Sequence, residues 1–211
     1  MGKPVIYGPA YSTYVRSVRL VLEEKGVDYD LHHVDIFSGE IKHPEHVARH
    51  PWGKVPAFEH EGFQLYETEA IMRYCDAAFD GPGLQPTDAK GQARMTQLIN
   101  IVDGYSYPPI VGAIVIQRLV MPKLGEQTDE EAVAEAVEPA RTAVSALDQL
   151  VEGEYAVGGA LSLADCHMLP VIDYFSATPE GEQMLANASK LSAWFEGFRQ
   201  RDSVKKTAPE L

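Results

Sequence analysis

The segment Asp80-Gly81-Pro82-Gly83-Leu84-Gln85-Pro86 divides the chain into halves with different hydrophobic periods. Its glycines and prolines favour a turn-rich connector over helix or strand. Before it, short apolar runs alternate with one helical pattern after another. Residues 4–7 read as a strand that stops at Gly8-Pro9. Val15, Val18 and Leu22 follow at helical spacing, and Gly26 ends that helix. Tyr29 to Ile36 alternates as a second strand, and residues 44–50 form a short helix closed by Pro51. Val55 to Phe58 and Phe63 to Tyr66 read as a hairpin turned at Glu61-Gly62, with a helix over Glu69 to Phe79. The order βαβ then ββα predicts a mixed sheet with helices on its faces.

Beyond the connector the pattern is helical throughout. Thr128-Asp129-Glu130-Glu131 has the form of a capping box, and Ala132 to Val151 continues as an amphipathic helix that Pro139 is expected to kink or interrupt. Ser162-Leu163-Ala164-Asp165 is a second capping box, opening an apolar helix through Met168 and Ile172. Ser162 and Asp165 are read as structural, holding that helix in register. Trp194, Phe195 and Phe198 share one face of a late helix. The predicted architecture is therefore α/β plus all-α: a thioredoxin-like domain over 1–80, a linker over 81–88, and an all-helical domain over 89–211.

The net charge of −13 argues against a nucleic-acid partner, which calls for a basic face. Cys75 and Cys166 lie in apolar surroundings without a CxxC pattern, so both read as buried thiols in a reducing cytoplasm. No signal peptide is evident before Val5, and no apolar run reads as long enough to span a bilayer. Of the seven histidines, six fall between His32 and His60. His43, His46 and His50 can share a helical face, but no carboxylate or thiol completes a metal site, and none is expected.

Ser12 follows the first strand and opens the first helix, the place where a thioredoxin-like fold carries its redox cysteine. A serine there makes disulfide exchange by that route unavailable. Its hydroxyl can donate to a bound thiolate, or it can serve only as a helix cap. Tyr7, Tyr11 and Tyr14 crowd the same corner, and any of these phenols can replace Ser12 as donor; Tyr7 reads as a strand residue and Tyr11 as a pocket wall. Lys42 and Lys54 are cations that can pair with ligand carboxylates or remain solvated. Val55-Pro56 can present an extended backbone edge, fixed by a cis bond. Glu67 and Thr68 stand where a strand gives way to a helix, able to hold ligand ammonium and carboxylate groups or merely to cap. Asp103, Tyr105 and Tyr107 fit either ligand contact or packing.

Taken together, Ile6-Tyr7-Gly8 through Ser12 to Glu23-Glu24-Lys25-Gly26, Gly39 to Lys42, Pro44-Glu45-His46, Pro51 to Ala57, Tyr66 to Ile71 and Gly159 to Asp165 resemble a cytosolic glutathione transferase, nearest the serine-type phi class. The resemblance implies that glutathione is the co-substrate, without a metal, and that its thiolate attacks an electrophilic, largely apolar small molecule. By matching position it makes Ser12 the thiolate-stabilising residue. Lys42 and Lys54 meet the glycine end, Val55 pairs by its backbone with the cysteinyl part before cis Pro56, and Glu67 and Thr68 hold the γ-glutamyl end. The electrophile sits against Tyr11, Phe37, Tyr105 and Tyr107, with Tyr7 and Asp103 as further candidates. A homodimer is implied, with no membrane or nucleic-acid partner.

The sequence departs from the phi pattern at four positions. Ile41 stands where His is common and Lys54 where Gln is usual. Thr68 replaces Ser, and Glu69 replaces Arg, which makes the local charge less favourable to an anion. Two other readings remain open: a glutathione-dependent peroxidase acting on organic hydroperoxides, and a non-catalytic ligand-binding protein of the same fold.

Overall fold

The computed structural model describes residues 2–209. The chain forms two compact units, one of residues up to Gln85 with the segment from Arg201 onward, the other Pro86–Gln200. The end of the chain, assigned from sequence to the helical half, thus groups with the first unit.

In the first unit, β1 (Val5–Tyr7) leads into α1 (Thr13–Lys25), β2 (Asp30–His32), a 3-10 turn at Glu40–Lys42, α2 (Pro44–Arg49), β3 (Ala57–His60), β4 (Phe63–Tyr66) and α3 (Thr68–Ala78). The strand order is β2-β1-β3-β4, with β1 parallel to β2 and antiparallel to β3. The β3–β4 hairpin turns at Glu61 and Gly62 with φ of 51° and 82°, the paired positive angles that suit a two-residue turn between twisted strands. Gly26, at φ 68°, stops α1 by donating back to Glu23, while the Val27 N–H reaches the Leu22 carbonyl at 2.9 Å.

β2 is shorter than its alternation suggests. The Asp35 carboxylate accepts the N–H groups of Phe37 and Ser38 at 2.8 and 3.1 Å. A side chain bonding its own following backbone builds a turn in competition with the strand ladder. The core lies between the sheet and the helices: Ile6, Phe58, Val15, Val18, Leu22, Ile71 and Met72 are fully or almost fully buried. Each such side chain contributes roughly 1.5–3 kcal/mol by leaving water.

Two polar clasps complete this unit. Lys25 and Asp76 form a buried ion pair at 3.2 Å, with side chains 2% and 7% exposed. Lys25 Nζ also donates to the Pro82 carbonyl at 3.0 Å, and Asp76 accepts the Leu84 N–H at 2.9 Å, so the pair ties the connector to α1 and α3. At the other end of α1, the Arg201 guanidinium grips Glu24 through two bonds of 2.7 Å, and the Ser203 hydroxyl donates to the same carboxylate. These contacts dock α9 (Asp202–Thr207) on α1.

The second unit is helical: α4 (Ala89–Val120), α5 (Glu130–Leu150), α6 (Leu163–Ser176), α7 (Pro179–Leu185) and α8 (Ser189–Phe198). α4 is long and apolar enough, by length and composition, to cross a bilayer, which corrects the expectation that no run reaches that length. Within its unit it packs against α5 and α6. Two stretches of π-helix, Val102–Ser106 and Ile110–Val120, widen it around Pro108 and Pro109.

The cap of α5 is Asp129, not Thr128. The Asp129 carboxylate accepts from Glu131 and Ala132, whereas the Thr128 hydroxyl donates to the Gln117 carbonyl at 3.0 Å. α5 also runs through Pro139 without a break. Pro139 and Glu135 are both exposed, so the carbonyl left without its helical donor faces water. The Ser162–Asp165 capping box is formed, and its carboxylate has two further donors, the Ala156 N–H and the Trp194 indole, both at 2.7 Å. Burial pushes the Asp165 carboxyl up, against the pull of those donors.

Candidate active site

The sheet register brings three sequence segments to one end of the first unit. Tyr7 at the close of β1 pairs with Ala57 at the opening of β3, and Ala57 pairs on its other side with Tyr66 at the close of β4. The residues just beyond these partners therefore converge: Gly8 to Ser12 after β1, Val55-Pro56 before β3, and Glu67-Thr68 after β4. Gly8 makes the approach possible. At φ 152°, a side chain there would place its Cβ 2.5 Å from Val15 Cγ2 and 3.1 Å from Val55 Cβ.

Ser12 is the N-cap of α1, and its Oγ accepts the Val15 N–H at 3.4 Å. The hydroxyl proton is not used by that bond, so the cap and donor roles coexist. α1 carries no acidic residue in its first turn, and its end presents partial positive charge. Of the neighbouring phenols, Tyr7 lies under the Arg49 guanidinium at 4.3 Å and edge-on to His32 at 5.3 Å. Tyr11 stacks on Phe37 at 6.0 Å. Burial and the Asp35 carboxylate push the Tyr11 phenol up, against a backbone bond from Ile36.

The Val55–Pro56 peptide bond is cis. Among the described residues, no group hydrogen-bonds the Val55 main chain, which leaves its N–H and C=O for another extended chain. The preceding loop is closed on itself: the Gly53 N–H donates to the His50 carbonyl at 2.8 Å, and His46 Nε2 donates to the Lys54 carbonyl at 2.7 Å. Gly53, at φ 57°, admits the Ile41 carbonyl; a Cβ there would lie 2.7 Å from that oxygen. Lys54 and Lys42 are both exposed.

Glu67 is the N-cap of α3, with φ 72°, a strained angle for a residue with a side chain, and it makes no side-chain cap bond. The first N–H groups of α3, from Thr68 onward, are thus uncapped and suited to an anion. Glu69, whose charge is read from sequence as unfavourable there, is held by Arg73 at 2.7 Å. The residue four positions on neutralises it. His50 is buried against Tyr66 and Trp52, at 5.1 and 6.3 Å. Burial pushes its imidazole down; Glu67 opposes that push, and His46 and Lys54 add to it.

In the helical unit, Asp103 accepts from His167 Nε2 at 2.7 Å, and Tyr105 is 70% exposed in the π-helical stretch. Tyr107 starts the short α-helical turn that follows. Both cysteines are buried, and burial pushes the Cys75 thiol up to about 12, so that thiol is no nucleophile. Among the described residues, no group of three or more His, Cys, Asp or Glu side chains is placed to hold a metal ion.

Arg49 and Arg73 belong to this region without having been singled out from the sequence, and His46 enters the sequence reading only as a possible metal ligand and as part of the family motif. The Glu69–Arg73 spacing of four was a signal for one of them. The His46 and Arg49 contacts reach other elements and leave no local mark.

Comparison with known proteins gives a consistent picture. Residues 6–77 match the family description "Glutathione S-transferase, N-terminal domain" and residues 107–202 "Glutathione S-transferase, C-terminal domain". Glutathione S-transferase F7 of Arabidopsis thaliana is 32% identical over 95% of this chain and 97% of its own length. Glutathione transferase F7 from Populus trichocarpa has a TM-score of 0.86 at 31% identity, covering 97% of each chain. Glutathione S-transferase I from mais, solved in complex with an atrazine glutathione conjugate, has a TM-score of 0.84 at 29% identity, covering 98% of this chain and 97% of its own.

Proposed function

The chain belongs to the glutathione S-transferase family, similar to its plant F members, and on that premise we propose how its own residues carry out the reaction. The protein is an enzyme that transfers glutathione to electrophilic small molecules. The observation that carries the residue assignment is the convergence of a serine N-cap, an unpaired Val55 main chain and an uncapped helix end at one end of the sheet.

Glutathione has a thiol, two carboxylates and an ammonium group, and each meets a suitable counterpart. The Ser12 hydroxyl donates to the thiolate at the positive end of α1. A free thiol ionises near ~8.5, and a lowering of one or two units corresponds to about 1.4–2.7 kcal/mol of thiolate stabilisation. The Val55 main chain pairs with the cysteinyl amide. The α3 N-terminus, through Thr68, takes the γ-glutamyl carboxylate, and Glu67 takes the adjacent ammonium. Lys54 and Lys42 offer charge to the glycine carboxylate.

The bound thiolate attacks the electrophilic carbon, the carbon–sulfur bond forms, and the leaving group departs with its electron pair. The enzyme supplies ionisation and placement, without a covalent enzyme intermediate. Tyr11 and Phe37 offer an apolar stacked wall for the electrophile. Tyr105 and Tyr107 keep the same assignment, with Tyr7 and Asp103 as further candidates, on the strength of the resemblance alone. A role in detoxification, assembly as a homodimer and residence in the cytoplasm complete the proposal on the same ground. The conjugate bound to the mais relative fits this reading of the reaction class.

The test is product analysis after incubation with glutathione and an activated aryl halide. A thioether conjugate, formed far more slowly by Ser12→Ala, is the expected result. Disulfide and alcohol from an organic hydroperoxide without any conjugate would make the protein a peroxidase, and binding without product would make it a carrier.

A further inference from the structure

His46 is 4% exposed and sits on α2, outside every glutathione contact assigned above. Its Nε2 lies 2.7 Å from the Lys54 carbonyl oxygen. That oxygen only accepts, so Nε2 carries the proton. Nδ1 is buried and has no hydrogen-bond partner among the described residues. The ring therefore directs its hydrogen bonding at one backbone carbonyl.

That carbonyl belongs to the same planar peptide unit as the Val55 N–H. The two groups point in opposite directions across the plane, so fixing one fixes the other. A hydrogen bond to the carbonyl also polarises the amide and makes its N–H a stronger donor. His46 itself is set firmly in α2, with the His50 N–H returning to the His46 carbonyl at 2.8 Å.

Resting on the reading above, we propose that His46 is a positioning residue: its Nε2–H orients and polarises the Lys54–Val55 peptide so that the Val55 N–H meets the cysteinyl part of glutathione. It touches neither the thiol nor the electrophile. Its loss weakens glutathione binding while leaving the electrophile's KM, measured at saturating glutathione, unchanged.

The experiment compares the full-length protein with His46→Leu, which removes the donor, and His46→Gln, which keeps an N–H on a similar reach. Calorimetric titration with glutathione is paired with kcat and KM for both substrates. His46→Leu is expected to bind glutathione about tenfold more weakly, the scale of one buried hydrogen bond, with most of that loss restored in His46→Gln. Hydrogen–deuterium exchange of the unaltered protein gives a second readout, in which added glutathione is expected to protect the Val55 amide.

Unchanged affinity in folded His46→Leu would overturn the proposal, as would equal losses in both variants, which mark a packing role. Should His46→Leu not fold, an unprotected Val55 amide in glutathione-bound protein would overturn it. No glutathione binding by the unaltered protein would remove the parent reading and this proposal together, a result distinct from the others.

Discussion

The Ser12 Oγ accepts the Val15 N–H at 3.4 Å, so one atom caps α1 while its proton remains available to a ligand. Cap and donor separate by substitution. Ser12→Ala removes both and is expected to cost about 1 kcal/mol of stability, whereas Ser12→Gly costs only a few tenths. Both should lower kcat/KM for conjugation by about 10- to 100-fold, matching one or two units of lost thiolate stabilisation. Steady-state kinetics beside thermal melts check this, and full activity in the folded Gly variant would exclude the hydroxyl from the chemistry.

The buried Lys25–Asp76 pair offers a stability test remote from Ser12. Lys25→Met leaves a buried carboxylate without its cation and is expected to cost about 3–5 kcal/mol. The Lys25→Met/Asp76→Leu double variant should lose less than the two single changes summed. Denaturant unfolding of the unaltered protein, the two single variants and the double variant measures the coupling, and strict additivity would mean the pair does not act as a unit.

Asp165 gathers the Ala156 and Ser162 N–H groups, the Ser162 hydroxyl and the Trp194 indole. Asp165→Ala leaves these donors buried without an acceptor, at an expected cost of about 3 kcal/mol or more. Trp194 fluorescence reports the same site, so unfolding followed by emission should show a lower midpoint and an altered native spectrum. An unchanged midpoint would contradict the role of the carboxylate.

The Glu24 carboxyl is pushed up by burial but held below its ordinary 4.5, on balance, by Arg201 and Ser203. A carboxyl lowered in the folded state adds stability that is present above the unfolded pKa and is lost as pH falls through the folded one. Acid should therefore weaken the docking of α9 on α1 from about pH 4.5 downward. Glu24→Gln is expected to be less stable than the unaltered protein at neutral pH and to show a shallower decline in acid. Parallel pH–stability profiles would rule out this linkage.

Much of the fold was legible because local signals agreed. Glu61-Gly62 set the hairpin, Gly26 the end of α1, and Ser162 with Asp165 the start of α6. Other features depended on partners that sequence order hides. Asp35 ended β2 early through its own turn. Thr128 turned its hydroxyl to Gln117, leaving Asp129 as the cap, and Pro139 was tolerated because the orphaned carbonyl faces water. Polar residues scattered through Ala89–Val120 masked its apolar length. In the candidate site, Ser12, Val55, Glu67 and Thr68 could be named from their motif. The His46 bond to the Lys54 carbonyl and the release of the Val55 main chain required the folded loop.

The most direct test of the central claim is a difference-absorbance titration of glutathione with the protein, following the thiolate band against pH. A saturable band whose midpoint lies below that of the free thiol is expected, with the midpoint returning upward in Ser12→Ala. Saturable binding with the free-thiol midpoint, or no binding, would contradict thiol activation at Ser12.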